Sequence, residues 1–194
     1  MNIKLKNIHK SYGSKVIFDN YNMELEENKI TALMGPSGSG KTTLANILAG
    51  LTPYKGEVTG VTKVSYIFQE SRLLPNLTVQ DNLDYVLKRE IKNGEERKKI
   101  IEDILTKVKL IECKDYYPDE LSGGMAQRVS IARAFIYPSS LLIMDEPFKE
   151  LDEKLKEQVI NEFIELHKSS PRTVLFITHD KTEATRLASK IINL

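Results

Sequence analysis

The chain has 194 residues, 41% of them hydrophobic, enough to bury the core of one domain with subdomains, and its 28 basic and 27 acidic side chains leave a net charge of +1. That balance gives no general electrostatic attraction to nucleic acid, and the longest apolar runs, about four or five residues, fall far short of the ~20 that span a bilayer. The single Cys113 cannot form an internal disulfide, and the opening Met1-Asn-Ile-Lys-Leu-Lys6 lacks an apolar signal-like run, so a reducing cytosolic compartment is expected.

Taken in chain order, Ile3-Lys-Leu-Lys-Asn-Ile8 alternates apolar and polar residues as a half-buried strand does, and Lys15-Val-Ile-Phe18 with Tyr21-Asn-Met-Glu-Leu25 continues the pattern. An antiparallel β-layer is therefore predicted at the N-terminus. Lys29-Ile-Thr-Ala-Leu-Met34 reads as a buried strand and Thr43-Leu-Ala-Asn-Ile-Leu-Ala49 as a helix ended by Gly50. Between them lies Gly35-Pro-Ser-Gly-Ser-Gly-Lys41-Thr42, a match to G-x-x-x-x-G-K-[ST]. In such a P-loop the backbone N–H groups of Gly35, Pro36, Ser37, Gly38, Ser39, Gly40 and the residues after them surround nucleotide phosphates, except at proline, which has no N–H. Lys41 supplies a point charge, the Thr42 hydroxyl ligates Mg²⁺, and Thr43 continues the cradle.

Gly56-Glu-Val-Thr59 and Val64-Ser-Tyr-Ile-Phe68 are two more short strands. From Thr78 to Tyr137 the apolar spacing turns helical, through Leu83/Val86/Leu87, Ile100/Ile101/Ile104/Leu105/Val108 and Val129/Ile131/Ala132/Phe135, with a turn at Asn93-Gly94. Within this stretch Ser122-Gly123-Gly124 forms a second glycine-rich segment ahead of a helix predicted over Met125–Tyr137. Its backbone N–H groups and partial positive charge suit an anion, and Ser122 also suits an N-cap. Strands return at Leu141–Met144 and Thr173–Ile177 around an amphipathic helix near Lys154–His167, a βαβ unit that favours a parallel sheet.

Leu121-Ser-Gly-Gly-Met-Ala-Gln-Arg128, followed by Leu141-Leu-Ile-Met-Asp145-Glu146-Pro, resembles the signature and acidic motifs of ABC-type ATPases, and the resemblance runs from near Tyr12 to His179. It implies an α/β P-loop NTPase with a RecA-like parallel-sheet core, an N-terminal antiparallel β-layer and an inserted α-helical subdomain. The nucleotide-binding part is expected over 1–71 and 139–194, and the helical part over 72–138. Phosphoryl transfer needs a cradle, a metal, a positioned water and positive charge on the transition state. Asp145 and Glu146 leave a buried strand at the carboxyl end of the sheet, so Asp145 is expected to hold the Mg²⁺ shell through water and Glu146 to polarise the attacking water.

The same resemblance gives Gln69, in Phe68-Gln-Glu-Ser-Arg-Leu-Leu-Pro75, the part of the Q-loop glutamine that ligates Mg²⁺ or water, and His179 that of the switch histidine at the γ-phosphate. Tyr12 matches the aromatic residue that stacks on adenine. Ser122-Gly123-Gly124 closes on ATP held by a second copy, giving a head-to-tail homodimer with Asp152 of Leu151-Asp152 at the seam. His9 and His167 receive no role.

Met125 after Ser-Gly-Gly, and Phe148 after Asp-Glu-Pro, resemble importer ATPases of the nitrate, sulfonate and taurine group. Lys149-Glu150 departs from it, since that group usually shows small residues there. The implied protein hydrolyses ATP with Mg²⁺ at the cytoplasmic face of a membrane, peripherally. There it drives an integral membrane permease served by an extracytoplasmic substrate-binding protein, without nucleic acid. A non-transport or exporter-type ABC ATPase is the alternative, and a nucleotide kinase leaves the Leu-Ser-Gly-Gly segment unexplained.

Overall fold

Ten residues of alternating pattern begin the chain as strand β1 (Ile3–Tyr12), and a tight turn through Gly13 leads into β2 (Lys15–Leu25). The computed structural model describes residues 1–194. β2 is continuous where the sequence pattern predicts two pieces, because Asn20 takes up a left-handed φ of 54° and the strand runs on through it. With β4 (Lys55–Thr59), which follows strand β3 (Ile30–Met34) and helix α1 (Lys41–Leu48), these strands form an antiparallel sheet in the order β2-β1-β4.

The alternation in β1 slips once. Ile3 and Leu5 are buried, Lys6 and Asn7 are both exposed, and burial resumes at Ile8 and Lys10. Asn7 has a φ of 51°, and the pairing to both neighbouring strands shifts there, as at a β-bulge. Gly56 on β4 faces it so closely that a Cβ would lie 2.5 Å from the Asn7 carbonyl oxygen, which leaves no room for a side chain.

The second sheet has five strands in the order β5-β6-β7-β3-β8, with β5 at Val64–Ile67, β6 at Leu141–Asp145, β7 at Val174–Ile177 and β8 at Lys190–Asn193. β6, β7, β3 and β8 run parallel. β3 is buried along its length, as a strand covered on both faces should be. The sequence pattern does not predict β8, which pairs with β3 through Ile191 and Ile192 beyond the last helix, α6 (Lys181–Leu187). One core joins Ile3, Leu5, Ile8 and Phe18 of the antiparallel sheet, Leu44 and Ile47 of α1, and Leu33, Ile143 and Leu175 of the parallel sheet.

The chain divides into two compact units, 1–66 with 139–146 and 171–194, which holds both sheets, and 67–138 with 147–170, which is helical. The helical unit contains α2 (Val79–Leu87), α3 (Gly94–Lys107), α4 (Gly123–Ile136) and α5 (Glu153–Ser169). Thr78, Asn93, Ser122 and Asp152 cap these four helices, each side chain accepting a backbone N–H of the first turn. α4 touches α2, α3 and α5, and is accordingly buried on most of its circumference. Phe135 of α4 meets Phe163 of α5 edge to face, with ring centroids 5.7 Å apart. No helix is long and apolar enough to cross a membrane.

Candidate nucleotide site

The parallel register places the ends of β3, β6 and β7 on one edge of the sheet: Leu33 lies opposite Ile177, and Ile177 opposite Asp145. The segments that leave these ends are Gly35–Gly40, Glu146 and Thr178–Asp180, so three sequence-predicted motifs of the first unit emerge side by side at the carboxyl edge.

The P-loop is shaped by crowding as much as by turning. A Cβ on Gly35 would sit 2.7 Å from the Leu194 carbonyl oxygen and 2.8 Å from Ser39 Oγ, and one on Gly40 would sit 2.8 Å from Ile17 Cγ2. Both have φ values, 149° and 108°, that L side chains rarely adopt. The helix starts at Lys41, two residues before the predicted start, so Lys41, Thr42 and Thr43 form its first turn, where backbone N–H groups lack intrahelical partners. Lys41 Nζ donates to the carbonyls of Gly35 at 2.8 Å and Pro36 at 2.9 Å, folded back onto its own loop. Ser39 Oγ is buried without a hydrogen-bond partner, a polar atom that an anion in the loop would satisfy.

Beside the loop, Tyr66 on β5 donates its hydroxyl to Asp145 Oδ2 at 3.1 Å, fixing the carboxylate at the strand end. Glu146 has a φ of 48°, a conformation uncommon outside glycine, and its N–H donates to the Ile177 carbonyl at 2.9 Å. Its Oε1 lies 3.4 Å from His179 Nδ1. His179 is held from both sides: the buried Thr178 hydroxyl donates to Glu183 Oε2 at 2.7 Å and accepts the Asp180 N–H at 3.1 Å, while Asp180 caps α6. His179 itself is well exposed. The arrangement offers a carboxylate and an imidazole converging at the mouth of an anion cradle, parts suited to holding a water against a phosphate.

Tyr12 closes β1 half-exposed, with Lys10 Nζ 4.5 Å from its ring centroid. Hydrogen bonding with Thr52 first and Thr43 second holds its hydroxyl below the usual phenol range.

The remaining predicted residues lie in the helical unit. Gln69 Nε2 donates to Glu150 Oε1 at 2.5 Å, so Glu150, flagged by sequence only as a departure, has a partner within its own chain. The backbone after Gln69 is held too: Arg133 of α4 donates to the Ser71 and Arg72 carbonyls at 3.1 and 3.0 Å, and Arg72 lies over the Phe68 ring. Burial lowers the pKa of Arg133.

Ser122 accepts the Met125 N–H at 3.3 Å, and α4 begins at Gly123, so both glycines are in its first turn. Nothing stands within 4 Å of where a Gly123 Cβ would be, whereas one on Gly124 would meet Leu155 Cδ2 at 2.4 Å. Gly123 leaves space for an incoming group, and Gly124 allows α5 to approach. Asp152, expected at a dimer seam, caps α5 through Leu155 N–H at 3.0 Å.

No group of three or more His, Cys, Asp or Glu is placed to hold a metal ion. The donors at hand within the first unit are the Thr42 hydroxyl and the Asp145 carboxylate, hard oxygens. This fits Mg²⁺, which takes one or two protein ligands and fills its shell from phosphate and water. Sequence reasoning missed Lys10, Tyr66 and Glu183. Only the alternation of β1 carried a signal, since it places Lys10 and Tyr12 two residues apart on one face.

Residues 18–149 match the family model described as ABC transporter. The chain is 36% identical over its whole length to a Chlorella vulgaris protein named as a probable sulfate/thiosulfate import ATP-binding protein CysA, and spans 87% of that relative. It is 36% identical over 97% of its length to the Fe(3+) ions import ATP-binding protein FbpC of Pasteurella multocida, and spans 57% of it. Among solved structures, the dimeric bacterial ABC transporter cassette MJ0796 superposes with a TM-score of 0.83 at 32% identity, covering 99% of this chain and 94% of that one. The same cassette in a post-hydrolysis dimer bound to ADP and Pi gives 0.84 with the same coverage and identity.

Proposed function

The chain belongs to the ABC transporter ATPase family, and we propose that it is the ATP-binding subunit that powers a separate membrane permease in solute import. It binds ATP and hydrolyses it to ADP and phosphate. The observation that carries the site assignment is the convergence of the P-loop, Glu146 and His179 at one sheet edge, with Glu146 Oε1 and His179 Nδ1 3.4 Å apart.

In this reading the P-loop N–H groups and the unpartnered Ser39 hydroxyl take phosphate oxygens, and Lys41 leaves its two carbonyl partners to meet them. Tyr12 supports the adenine. Glu146 accepts a hydrogen bond from the attacking water and draws its proton, while His179 fixes the carboxylate's direction and reaches the terminal phosphate. Thr42, Asp145 and Gln69 hold Mg²⁺, which neutralises phosphate charge when bound. Ser122, Gly123 and the N-terminus of α4 cap the nucleotide of a second copy in a head-to-tail dimer, with Asp152 near the seam.

The permease contacts the helical unit, an extracytoplasmic protein delivers the solute, and the chain sits peripherally at the cytoplasmic face. Met125 and Phe148 favour the nitrate, sulfonate and taurine group, and the CysA relative is likewise named for an oxyanion.

The test is complementation. Lys41→Ala and Ser122→Arg homodimers should each be inactive. Mixed in equal amounts with free exchange, about half the dimers are heterodimers with one intact site, so activity should return to roughly a quarter of wild type if sites fire independently. No recovery, together with a monomeric Glu146→Gln protein under saturating Mg-ATP, overturns the composite site.

A further inference from the structure

Lys10 is a charged residue held away from water with nothing of opposite charge beside it. Its side chain is 8% exposed, and its ammonium donates to Thr52 Oγ1 at 2.9 Å and to the Pro53 carbonyl at 2.7 Å. Burying an ammonium costs free energy that two neutral acceptors offset only in part. What remains beside it is an aromatic face: Nζ stands 4.5 Å from the Tyr12 ring centroid, within cation–π range.

The strand explains how they meet. After the slip at Asn7, Ile8, Lys10 and Tyr12 share one face of β1, so Lys10 covers one side of the ring while Tyr12 stays 51% exposed overall. Hydrogen bonding with Thr52, and next with Thr43, keeps the Tyr12 hydroxyl below the usual phenol range. Lys10 is itself held in place by Thr52 and the Pro53 carbonyl, so the cation is fixed beside the ring.

We infer that Lys10 is a positioning residue for base recognition: its ammonium and its bonds to residues 52 and 53 hold the Tyr12 ring in the orientation in which the opposite face stacks on a purine. The inference rests on the reading of Tyr12 as the base platform. A ring fixed before the base arrives loses no rotamer freedom on binding, and the cation withdraws electron density from the face behind it. Lys10 therefore acts on the base half of the nucleotide and leaves the phosphate half alone.

The test uses the full chain and two probes, ADP and inorganic tripolyphosphate, titrated calorimetrically into wild type, Lys10→Met, Lys10→Arg, Tyr12→Ala and the Lys10→Met/Tyr12→Ala double variant. Lys10→Met keeps the apolar stem without the charge and should weaken ADP about five-fold, the size of a partly desolvated cation–π contact. It should leave tripolyphosphate affinity and kcat unchanged while KM for ATP rises by the same factor. Lys10→Arg should stay within about two-fold of wild type, since it retains a cation over the ring.

In the Tyr12→Ala background the Lys10→Met effect should vanish, the coupling expected of residues acting through one ring. Equal loss for both probes, or an unchanged Lys10→Met effect without the tyrosine, would show a structural role and overturn the inference, as would wild-type ADP affinity in Lys10→Met. If Lys10→Met does not fold, Lys10→Gln replaces it in the same cycle. Wild-type ADP affinity in Tyr12→Ala would remove the base-platform reading, and this inference with it.

Discussion

Two glycine-rich segments, one in each unit, are built for the same class of partner in opposite ways. Gly35–Gly40 is a true loop: Gly35 and Gly40 take conformations closed to other residues and stand against Leu194, Ser39 and Ile17 with no space for a Cβ. Ser122–Gly124 is a capped helix start of ordinary geometry, in which Gly123 faces open space and Gly124 is pressed on Leu155. The first segment forms a cradle in its own chain. The second presents a blunt helix end, a surface suited to something brought from outside. The same residue type thus answers three demands: backbone conformation, open approach, and helix packing.

The largest effects should break the first segment's side of that comparison. Lys41→Ala removes the only mobile charge of the cradle, and ATP hydrolysis should fall by about 100-fold or more. The melting temperature should stay within about 2 °C, because the hydrogen bonds that Lys41 loses are to carbonyls of its own loop. A folded Lys41→Ala protein with unchanged hydrolysis rejects the cradle.

Glu146→Gln keeps the shape and should lower kcat by about 100-fold or more while ATP still binds. Because ATP then persists at the seam, size-exclusion chromatography with Mg-ATP should show a dimer. A monomer with near wild-type turnover removes Glu146 from the water-polarising role.

The contrast within the second segment is a matter of stability. Gly124→Ala forces its methyl into Leu155 and should cost about 1–3 kcal/mol in urea unfolding. Gly123→Ala meets nothing and sits in a helix, so it should be neutral or stabilising by up to about 1 kcal/mol. Equal effects would place both glycines in one role. The smallest change is expected from Ser122→Ala, which removes one cap bond and should cost about 0.5–1 kcal/mol. If Ser122 also meets nucleotide, its effect on kcat/KM should exceed that modest loss.

Much of the fold is legible in the sequence because its signals are local. Alternation marked β1 and β2, a buried apolar run bounded by glycine marked β3, and the βαβ pattern of 141–177 announced the parallel sheet. β8 was illegible because its four residues are mostly exposed and gain a strand's conformation only by pairing with β3. Helix starts were misplaced by two residues at Lys41 and at Gly123, since glycine and lysine in a first turn look the same as in a loop.

For the candidate site, contiguous motifs could be read as phosphate chemistry, but the residues that hold them could not. Glu183 reaches Thr178 from within α6, Tyr66 reaches Asp145 from another strand, and Glu150 meets Gln69 across 81 positions. Such pairs leave no spacing rule in one chain, because the distance that matters is made by folding.

The slip at Asn7 gives β1 a property that a regular strand lacks. In a strict alternation odd-numbered residues would stay on the inner face throughout, and His9 would follow Ile3 and Leu5 there. With one residue looped out, the inner face passes from odd numbers to even ones. The same ten residues then do two jobs in two frames: Ile3 and Leu5 of the odd frame and Ile8 of the even frame seal the core, and the end of the even frame delivers an ammonium and an aromatic ring to the rim. Removing a single residue between Leu5 and Ile8 would restore the regular pleat with Ile8, Lys10 and Tyr12 still on the face of Ile3 and Leu5, whereas flattening the bulge with all ten residues kept would send Ile8, Lys10 and Tyr12 to the opposite side of the sheet.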